Sequence, residues 1–292
     1  MIRQAVPEIV VLSGKGGTGK TTIAGSFAAL AQNKVIADLD VDAPDLHIIL
    51  KPHVISEKEF YGMERARIDL DVCTQCGLCI EACRFDAISE DFVVDENFCE
   101  GCRACKYVCP VKAVQMLPHV AGKWFISETR YGPMVHGQLG IAEENSGKLV
   151  TVIRNQAKFT AQKGGYGLII SDGPPGIGCP VTSSITGAPF SVVVTEPTQS
   201  GLHDIDRLFD LFVHFSVTGF LVVNKYDLNV EMTEEIEKFA ISKGVTPIGR
   251  IPFDEKVVEA LVNGLPVVEY EDGPAREAII EIWERVASEM GI

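Results

Sequence analysis

Two groups of residues in this 292-residue chain have the types and spacing to carry chemistry. The first is Gly14-Lys15-Gly16-Gly17-Thr18-Gly19-Lys20-Thr21-Thr22, which follows the apolar run Ile9 to Leu12 and opens a helical pattern near Thr21. It fits G-x-x-x-x-G-K-[ST], a phosphate cradle in which glycines let successive backbone N–H groups converge at a positively polarised helix N-terminus. In that template Lys20 reaches the outer phosphates and the Thr21 hydroxyl sits on Mg²⁺. The second is Cys73-x-x-Cys76-x-x-Cys79-x-x-x-Cys83, which recurs 26 residues later as Cys99-x-x-Cys102-x-x-Cys105-x-x-x-Cys109-Pro110. Thiols grouped so densely point to metal or redox chemistry.

The cysteine spacing is the bacterial ferredoxin run, in which three close thiolates and one distant thiolate bind a [4Fe–4S] cube and the fourth ligand is exchanged between halves. That rule assigns one cluster to Cys73, Cys76, Cys79 and Cys109, and a second to Cys99, Cys102, Cys105 and Cys83. Structural zinc is the competing reading. Zinc ribbons pair two C-x₂-C knuckles far apart, whereas three cysteines within seven residues, done twice, suit a cube better. Ala87-Ile88 recurs as Ala113-Val114, so each half is one unit of an internally repeated module. Arg84 stands where the second repeat has Pro110, and a nearby cation favours the more negative reduced cluster.

The elements that must position these groups alternate. Strand Ile9 to Ser13, a helix from about Thr21 to Gln32 and strand Val35 to Asp38 form a first βαβ unit. Asp38-Leu39-Asp40-Val41-Asp42-Ala43-Pro44-Asp45 then places carboxylates at the carboxyl end of a parallel strand, the edge where such sheets bind ligands, with a solvated acidic turn as the alternative. From about residue 60 to 118 the composition changes and eight of the nine cysteines fall inside. Lys123 to Ile126 and Pro133 to Leu139 look extended, and Ser146 opens a helix to about Lys163. Strand Leu168 to Ser171 runs into Asp172-Gly173-Pro174-Pro175-Gly176-Ile177-Gly178-Cys179-Pro180, an aspartate at a strand end followed by a glycine and proline turn. This reads as Walker B leading into switch II, with Asp172 holding the Mg²⁺ water shell. Strands Phe190 to Thr195, Phe220 to Asn224 and Thr246 to Ile251 alternate with further helices, the last from about Pro274. The fold class expected is α/β, a doubly wound, mostly parallel, Rossmann-like sheet, with residues 1–59 and 119–292 forming a discontinuous nucleotide-binding domain and 60–118 a small inserted α+β ferredoxin-like domain.

Lys15, directly after the first glycine, makes G-K-G-G-T-G-K-T. This resembles the deviant Walker A loop of the MinD, ParA, nitrogenase iron protein and arsenite-pump ATPase superfamily. The resemblance covers essentially the whole chain and implies an ATPase that forms a nucleotide-sandwich homodimer, with Lys15 of one subunit reaching the phosphates bound by the other. It also implies that Asp40 orients the attacking water, that Asp38 supports the metal shell, and that Asn224 lies against the adenine edge. Lys225 joins Asn224 at that site, and Ile251-Pro252-Phe253-Asp254 resembles the second base-binding loop, which adds Pro252, Phe253 and Asp254. Asn224-Lys225-Tyr226-Asp227 also reads as N-K-x-D, so Asp227 keeps guanine open as the base. A solvated surface lysine is the bland alternative for Lys15. Cys179 resembles in position a cluster cysteine of nitrogenase iron protein. It is either a thiol at a dimer axis or a small buried thiol packing a turn.

Composition limits the partners. With 26 Lys and Arg against 40 Asp and Glu, the net charge of −14 disfavours a sequence-independent grip on nucleic acid. No apolar stretch approaches the roughly 18 residues of a spanning helix, and the start lacks the pattern of a signal peptide, so a cytoplasmic location with reduced thiols is expected. The final helix has Ala275, Ile279, Ile282, Val286 and Met290 on one face and Glu277, Glu281, Glu284 and Glu289 elsewhere. That polar face is wrong for a membrane surface, so the helix is expected to pack on the sheet. Of the histidines, His136 reads as a packed or surface residue. The expected cofactors are ATP or ADP, Mg²⁺ and two [4Fe–4S] clusters. Two functions fit: ATP-gated electron transfer to a redox partner, or an assembly ATPase that loads a cluster or metal into an apo-metalloprotein. Spatial partitioning of a cargo needs a membrane or DNA contact that this composition does not offer.

Overall fold

The computed structural model describes residues 6–140, 143 and 146–292. Its strands are β1 (Glu8–Ser13), β2 (Lys34–Asp38), β3 (His53–Tyr61), β4 (Arg65–Ile68), β5 (Val114–Leu117), β6 (Val120–Thr129), β7 (Gly132–Leu139), β8 (Leu168–Pro175), β9 (Phe190–Thr195), β10 (Thr218–Asn224) and β11 (Thr246–Ile251). The main sheet has the order β11-β10-β9-β1-β8-β2-β7-β6-β3. Every pairing from β11 to β7 is parallel. The chain divides into two compact units, one of Met1–Glu57, Trp124–Gln138 and Ser146–Ile292, the other of Lys58–Lys123 and Leu139–Asn145.

In the first unit, side-chain alternation along each strand feeds two separate cores, as a sheet covered on both faces requires. Ile9 and Val11 face one core with Phe27 of the helix Lys20–Leu30 and Ile279, Ile282 and Val286 of the helix Pro274–Met290. Val10 and Leu12 face the other with Phe209 of the helix Gln199–Phe215 and Ile236 of the helix Val230–Ser242. The last helix therefore packs by its apolar face, with Phe27 and Trp283 rings 5.0 Å apart. Among the described residues no helix is long and apolar enough to cross a membrane.

The turn expected after Asp172 begins later than its glycine and prolines suggest. β8 continues through Gly173 to Pro175, and its register against β1 shifts between Val11 and Ser13. A Cβ on Gly173 would lie 2.5 Å from Leu12 Cδ2 and 2.9 Å from the Val11 carbonyl oxygen, so this glycine serves close approach of two strands. The chain turns at Gly176 (φ 86°), whose N–H donates to the Ser13 carbonyl at 2.9 Å.

The second unit carries the cysteine repeat into its backbone. The short helices Leu78–Ala82 and Ala104–Val108 occupy equivalent positions. Left-handed φ values recur at Gln75 and Gly101 (54° and 61°), Gly77 and Arg103 (79° and 65°), and Asp86 and Lys112 (50° and 56°). The Asp69 N–H donates to the Ala113 carbonyl at 2.9 Å, and its repeat mate Asp95 donates to the Ala87 carbonyl at 2.8 Å. β4 and β5 pair antiparallel with Ile68 opposite Val114, matched by an isolated bridge between Ile88 and Val94. Each half thus completes the other, around a core of Ile68, Ile88, Phe92 and Val114 with Cys79, Cys99 and Cys105.

Candidate functional site

β1 delivers the glycine loop to the carboxyl edge of the sheet, and the helix Lys20–Leu30 begins at its end. Gly19 has φ 96°, and a Cβ there would sit 2.5 Å from Asn224 Nδ2. Only glycine fits. A Cβ on Gly14 would meet Asp204 Cβ at 2.3 Å, which closes the other end of the loop. Asn224, at the end of β10, donates from Nδ2 to the Thr18 carbonyl at 2.8 Å and accepts the Lys225 N–H at 3.0 Å. The amide thus ties the loop to the end of β10, its Nδ2 holding Thr18 and its Oδ1 holding the following turn.

Lys20 is buried, 6 % exposed, with Nζ 3.0 Å from Asp172 Oδ1 and 3.3 Å from Asp40 Oδ2. β2 and β8 bring these acids together, since Asp38 is in register with Asp172, and the Asp40 N–H donates to Asp38 Oδ1 at 3.2 Å. Burial pulls the Lys20 ammonium down, but the charges of Asp172 and Asp40 outweigh it and the net displacement is upward. Burial, then the charge of Asp172, hold the Asp38 carboxyl well above the usual range, and burial raises Asp40 against the opposing pull of Lys20. One ammonium is too little for three buried carboxylates. Among the described residues Asp38 Oδ2, Asp172 Oδ2 and Thr18 Oγ1 are buried without a hydrogen-bond partner, and such orphaned oxygens beside three carboxylates fit a hydrated divalent cation. Asp42 and Asp45 are exposed, as a solvated acidic turn would be.

Lys15 lies on the open side, its Nζ donating to Ser200 Oγ at 3.3 Å and standing 3.8 Å from Glu196 Oε2. Lys225 Nζ donates to the other oxygen of Glu196 at 2.7 Å. Asp227 accepts the Phe253 N–H at 2.7 Å, a tie that the N-K-x-D reading did not anticipate. It joins the two loops expected at the base. Asp254 is engaged as a helix cap, Oδ1 accepting the Lys256 N–H and Oδ2 the Ala275 N–H, while Phe253 is 48 % exposed. Cys179 is the first residue of the helix Cys179–Ile185 and is exposed, which corrects the reading of a buried thiol packing a turn. His136 is packed: its ring stacks on Phe125 with centroids 5.0 Å apart, Nε2 meets Ser127 Oγ at 2.9 Å, and burial, then the nearby His47, lower its pKa to about 4.

In the second unit the eight cysteines are free thiols that line two small cavities. One is walled by Cys73, Cys76, Cys79 and Cys109, the other by Cys99, Cys102, Cys105 and Cys83, so each takes its fourth thiol from the opposite repeat. Backbone N–H groups donate to sulfur: Gln75 to Cys73 at 3.4 Å, Ala113 to Cys109 at 3.2 Å and Ala66 to Cys99 at 3.5 Å. Burial foremost pushes the Cys79 and Cys105 thiols up, and the charges of neighbouring cysteines add to the rise. Four thiolates in either cavity therefore need a cationic guest. Among the described residues no three His, Cys, Asp or Glu side chains gather as they would around a single ion. The thiols are spread around cavity walls instead.

Residues 9–267 match the family described as CobQ/CobB/MinD/ParA nucleotide binding domain. An uncharacterized protein of Methanocaldococcus jannaschii is 33 % identical over 286 residues, covering 96 % of each chain. The iron-sulfur cluster carrier protein of Pyrococcus horikoshii is 27 % identical, over 97 % of this chain and 86 % of its own. Among solved structures, the septum site-determining protein MinD of Pyrococcus horikoshii, complexed with Mg-ADP, aligns with a TM-score of 0.59 at 19 % identity, covering 98 % and 97 % of the two chains. The family match over most of the length, on a parallel sheet whose edge carries the glycine loop and its aspartates, places this chain in the CobQ/CobB/MinD/ParA nucleotide-binding family as a P-loop ATPase of the MinD/ParA type.

Proposed function

We propose that this ATPase couples nucleotide-driven closure of a homodimer to two [4Fe–4S] clusters held between residues 60 and 118, so that ATP gates electron transfer to a redox partner. The observation that carries the reading is the pair of four-thiol cavities, each completed by a cysteine of the other repeat. A polynuclear guest suits thiols spread around a cavity, and the N–H groups aimed at three of the sulfurs suit a resident cluster. When bound, such clusters supply one-electron chemistry. In the nucleotide domain the glycine loop and Lys20 hold phosphates, Thr21, Asp38 and Asp172 hold hydrated Mg²⁺, and Asp40 positions water. Lys15 swings from Ser200 and Glu196 to the phosphates of the partner, a cation in trans of the kind worth about 10³ to 10⁵ in rate.

A second reading, an ATPase that delivers clusters or metal to an apo-protein, is favoured by the relative named as an iron-sulfur cluster carrier and by the exposed Cys179. An anaerobic redox titration with ADP and with a non-hydrolysed ATP analogue, together with iron analysis, separates the two. Nucleotide-dependent potentials at about eight irons per chain support gated electron transfer. Clusters that leave for an apo-acceptor on ATP addition support delivery. ATP turnover unchanged in Lys15→Ala removes the dimer from the picture.

A further inference from the structure

The two four-thiol cavities are related by the repeat, yet their electrostatic surroundings differ. Apart from cysteines, the first is walled by Ile68, Phe92, Val111, Ala113 and Val114 with Thr74, and among the described residues no charged side chain lines it. The second is lined by Glu100 and Arg103 among its apolar groups, and beside it, behind Cys99, stands Arg65, only 8 % exposed. Its Nη1 donates to the carbonyl of Cys99, and the next N–H, of Ala66, donates to Cys99 Sγ. Nη2 lies 3.2 Å from Glu143 Oε2, and Glu143 Oε1 is 2.6 Å from His119 Nε2. Among the described residues the buried Nε of Arg65 has no hydrogen-bond partner. The repeat does not reproduce this arrangement: the position equivalent to Arg65 holds the exposed Asp91, and the N–H of Phe92, equivalent to Ala66, donates to the Ser89 carbonyl instead of to a sulfur.

A buried guanidinium paired with one carboxylate keeps an N–H that no described residue satisfies, and a thiolate-bound cluster at Cys99, anionic as a whole although its metal–sulfide core is cationic, supplies a second counter-charge. A cube carrying four thiolates is anionic and gains one further negative charge on reduction, so a buried cation favours the reduced form. Other charges near this cavity sit closer to water. Glu100 is half-buried at its wall, the Arg103 side chain is 55 % exposed and paired with Glu64 at 2.6 Å, and Arg84 is exposed, so all three are more strongly screened.

We propose that Arg65 makes the two clusters unequal, raising the potential of the one held by Cys83, Cys99, Cys102 and Cys105, so that a single electron entering from a low-potential one-electron donor comes to rest there. The role rests on the two-cluster reading above. In the internal step the cluster at Cys73, Cys76, Cys79 and Cys109 is oxidised by one electron and the other is reduced by one. No bond breaks and no proton moves. Arg65 tunes through a ligand residue, and Glu143 opposes it.

The test is an anaerobic dithionite titration of the reconstituted full-length protein, followed by electron paramagnetic resonance, with iron and sulfide measured on each sample. The wild type should show two waves. Arg65→Gln should lower the upper wave, changing its reduced-to-oxidised ratio at fixed potential about tenfold, which is 59 mV for one electron. Glu143→Gln should raise that wave, Arg65→Lys should hold it near the wild-type position, and the lower wave should stay in place throughout. Shifts of the same sign in Arg65→Gln and Glu143→Gln, movement of both waves alike, or a single wave in the wild type overturn the proposal. If Arg65→Gln loses iron, the upward shift in Glu143→Gln decides alone. Full iron with unmoved waves sinks the role of Arg65 only, whereas fewer than about four irons per wild-type chain sinks the two-cluster reading with it.

Discussion

Replacing Lys20 by Met should destabilise the protein by about 3–5 kcal/mol in the absence of nucleotide, because it leaves buried carboxylates uncompensated while keeping the side-chain stem packed. The Lys20 ammonium lies 3.0 Å from Asp172 and 3.3 Å from Asp40, with Asp172 1 % and Asp40 12 % exposed at the side chain. At an effective dielectric constant of about 20, each contact is an attraction of about 5 kcal/mol, against a desolvation penalty of several kcal/mol for the lysine. Removing the cation loses the attraction and leaves the penalty of the acids in place. Burial already raises the Asp38 and Asp40 carboxyls, and acids with a raised folded pKa gain relative stability as pH falls through that pKa. The deficit of Lys20→Met should therefore be largest near pH 8 and shrink toward pH 5. Anaerobic urea unfolding read by tryptophan fluorescence measures it, since Trp283 packs on Phe27 of the helix that Lys20 begins. Adding Asp172→Asn should restore at least about 1.5 kcal/mol, the non-additivity expected of groups in contact. A loss below about 1 kcal/mol in Lys20→Met, or strictly additive losses in the double variant, would refute the charge-compensation argument.

Cys83→Ser should remove about half of the iron and only the cluster built on Cys99, Cys102 and Cys105. Loss of the cluster at Cys73, Cys76 and Cys79 instead would show that the fourth ligands do not cross over. Asp227→Ala should weaken ATP binding about tenfold by freeing the Phe253 amide, a hydrogen bond to a charged acceptor being worth about 1.5–3 kcal/mol, without favouring either base. A selective loss of GTP binding in fluorescent-nucleotide competition would instead make Asp227 a guanine reader. His136 has a folded pKa of about 4 against an ordinary 6.5, so its stabilisation is present above pH 6.5 and is lost as pH falls from there toward 4. His136→Phe should reduce the decline in unfolding free energy over that window by about 2–3 kcal/mol, and an unchanged decline would place its cause elsewhere.

Local rules carried much of this protein in its sequence. The glycine loop is legible because phosphate binding needs particular residues within eight positions, and the cysteine repeat because its spacing recurs with the same left-handed turns in both halves. Strand and helix alternation follows from hydrophobic period, which also indicated that the last helix packs by its apolar face. What depended on distant segments was not legible. Nothing around Gly173 says that β8 runs on past it, since the reason is the wall of Leu12 and Val11. The thiol of Cys179 lies exposed at a helix start, and burial is set by what packs nearby rather than by its neighbours in sequence. The N-K-x-D pattern left the base open at Asp227, and its acceptance of the Phe253 N–H depends on a loop distant in sequence. Arg65 gave no sequence signal, whereas Arg84, which drew attention beside a cysteine, is exposed. Sequence fixes which groups can bind phosphate or metal, because those bonds are short and local. Only the tertiary structure decides which charges are buried beside them, because desolvation belongs to everything packed around a side chain.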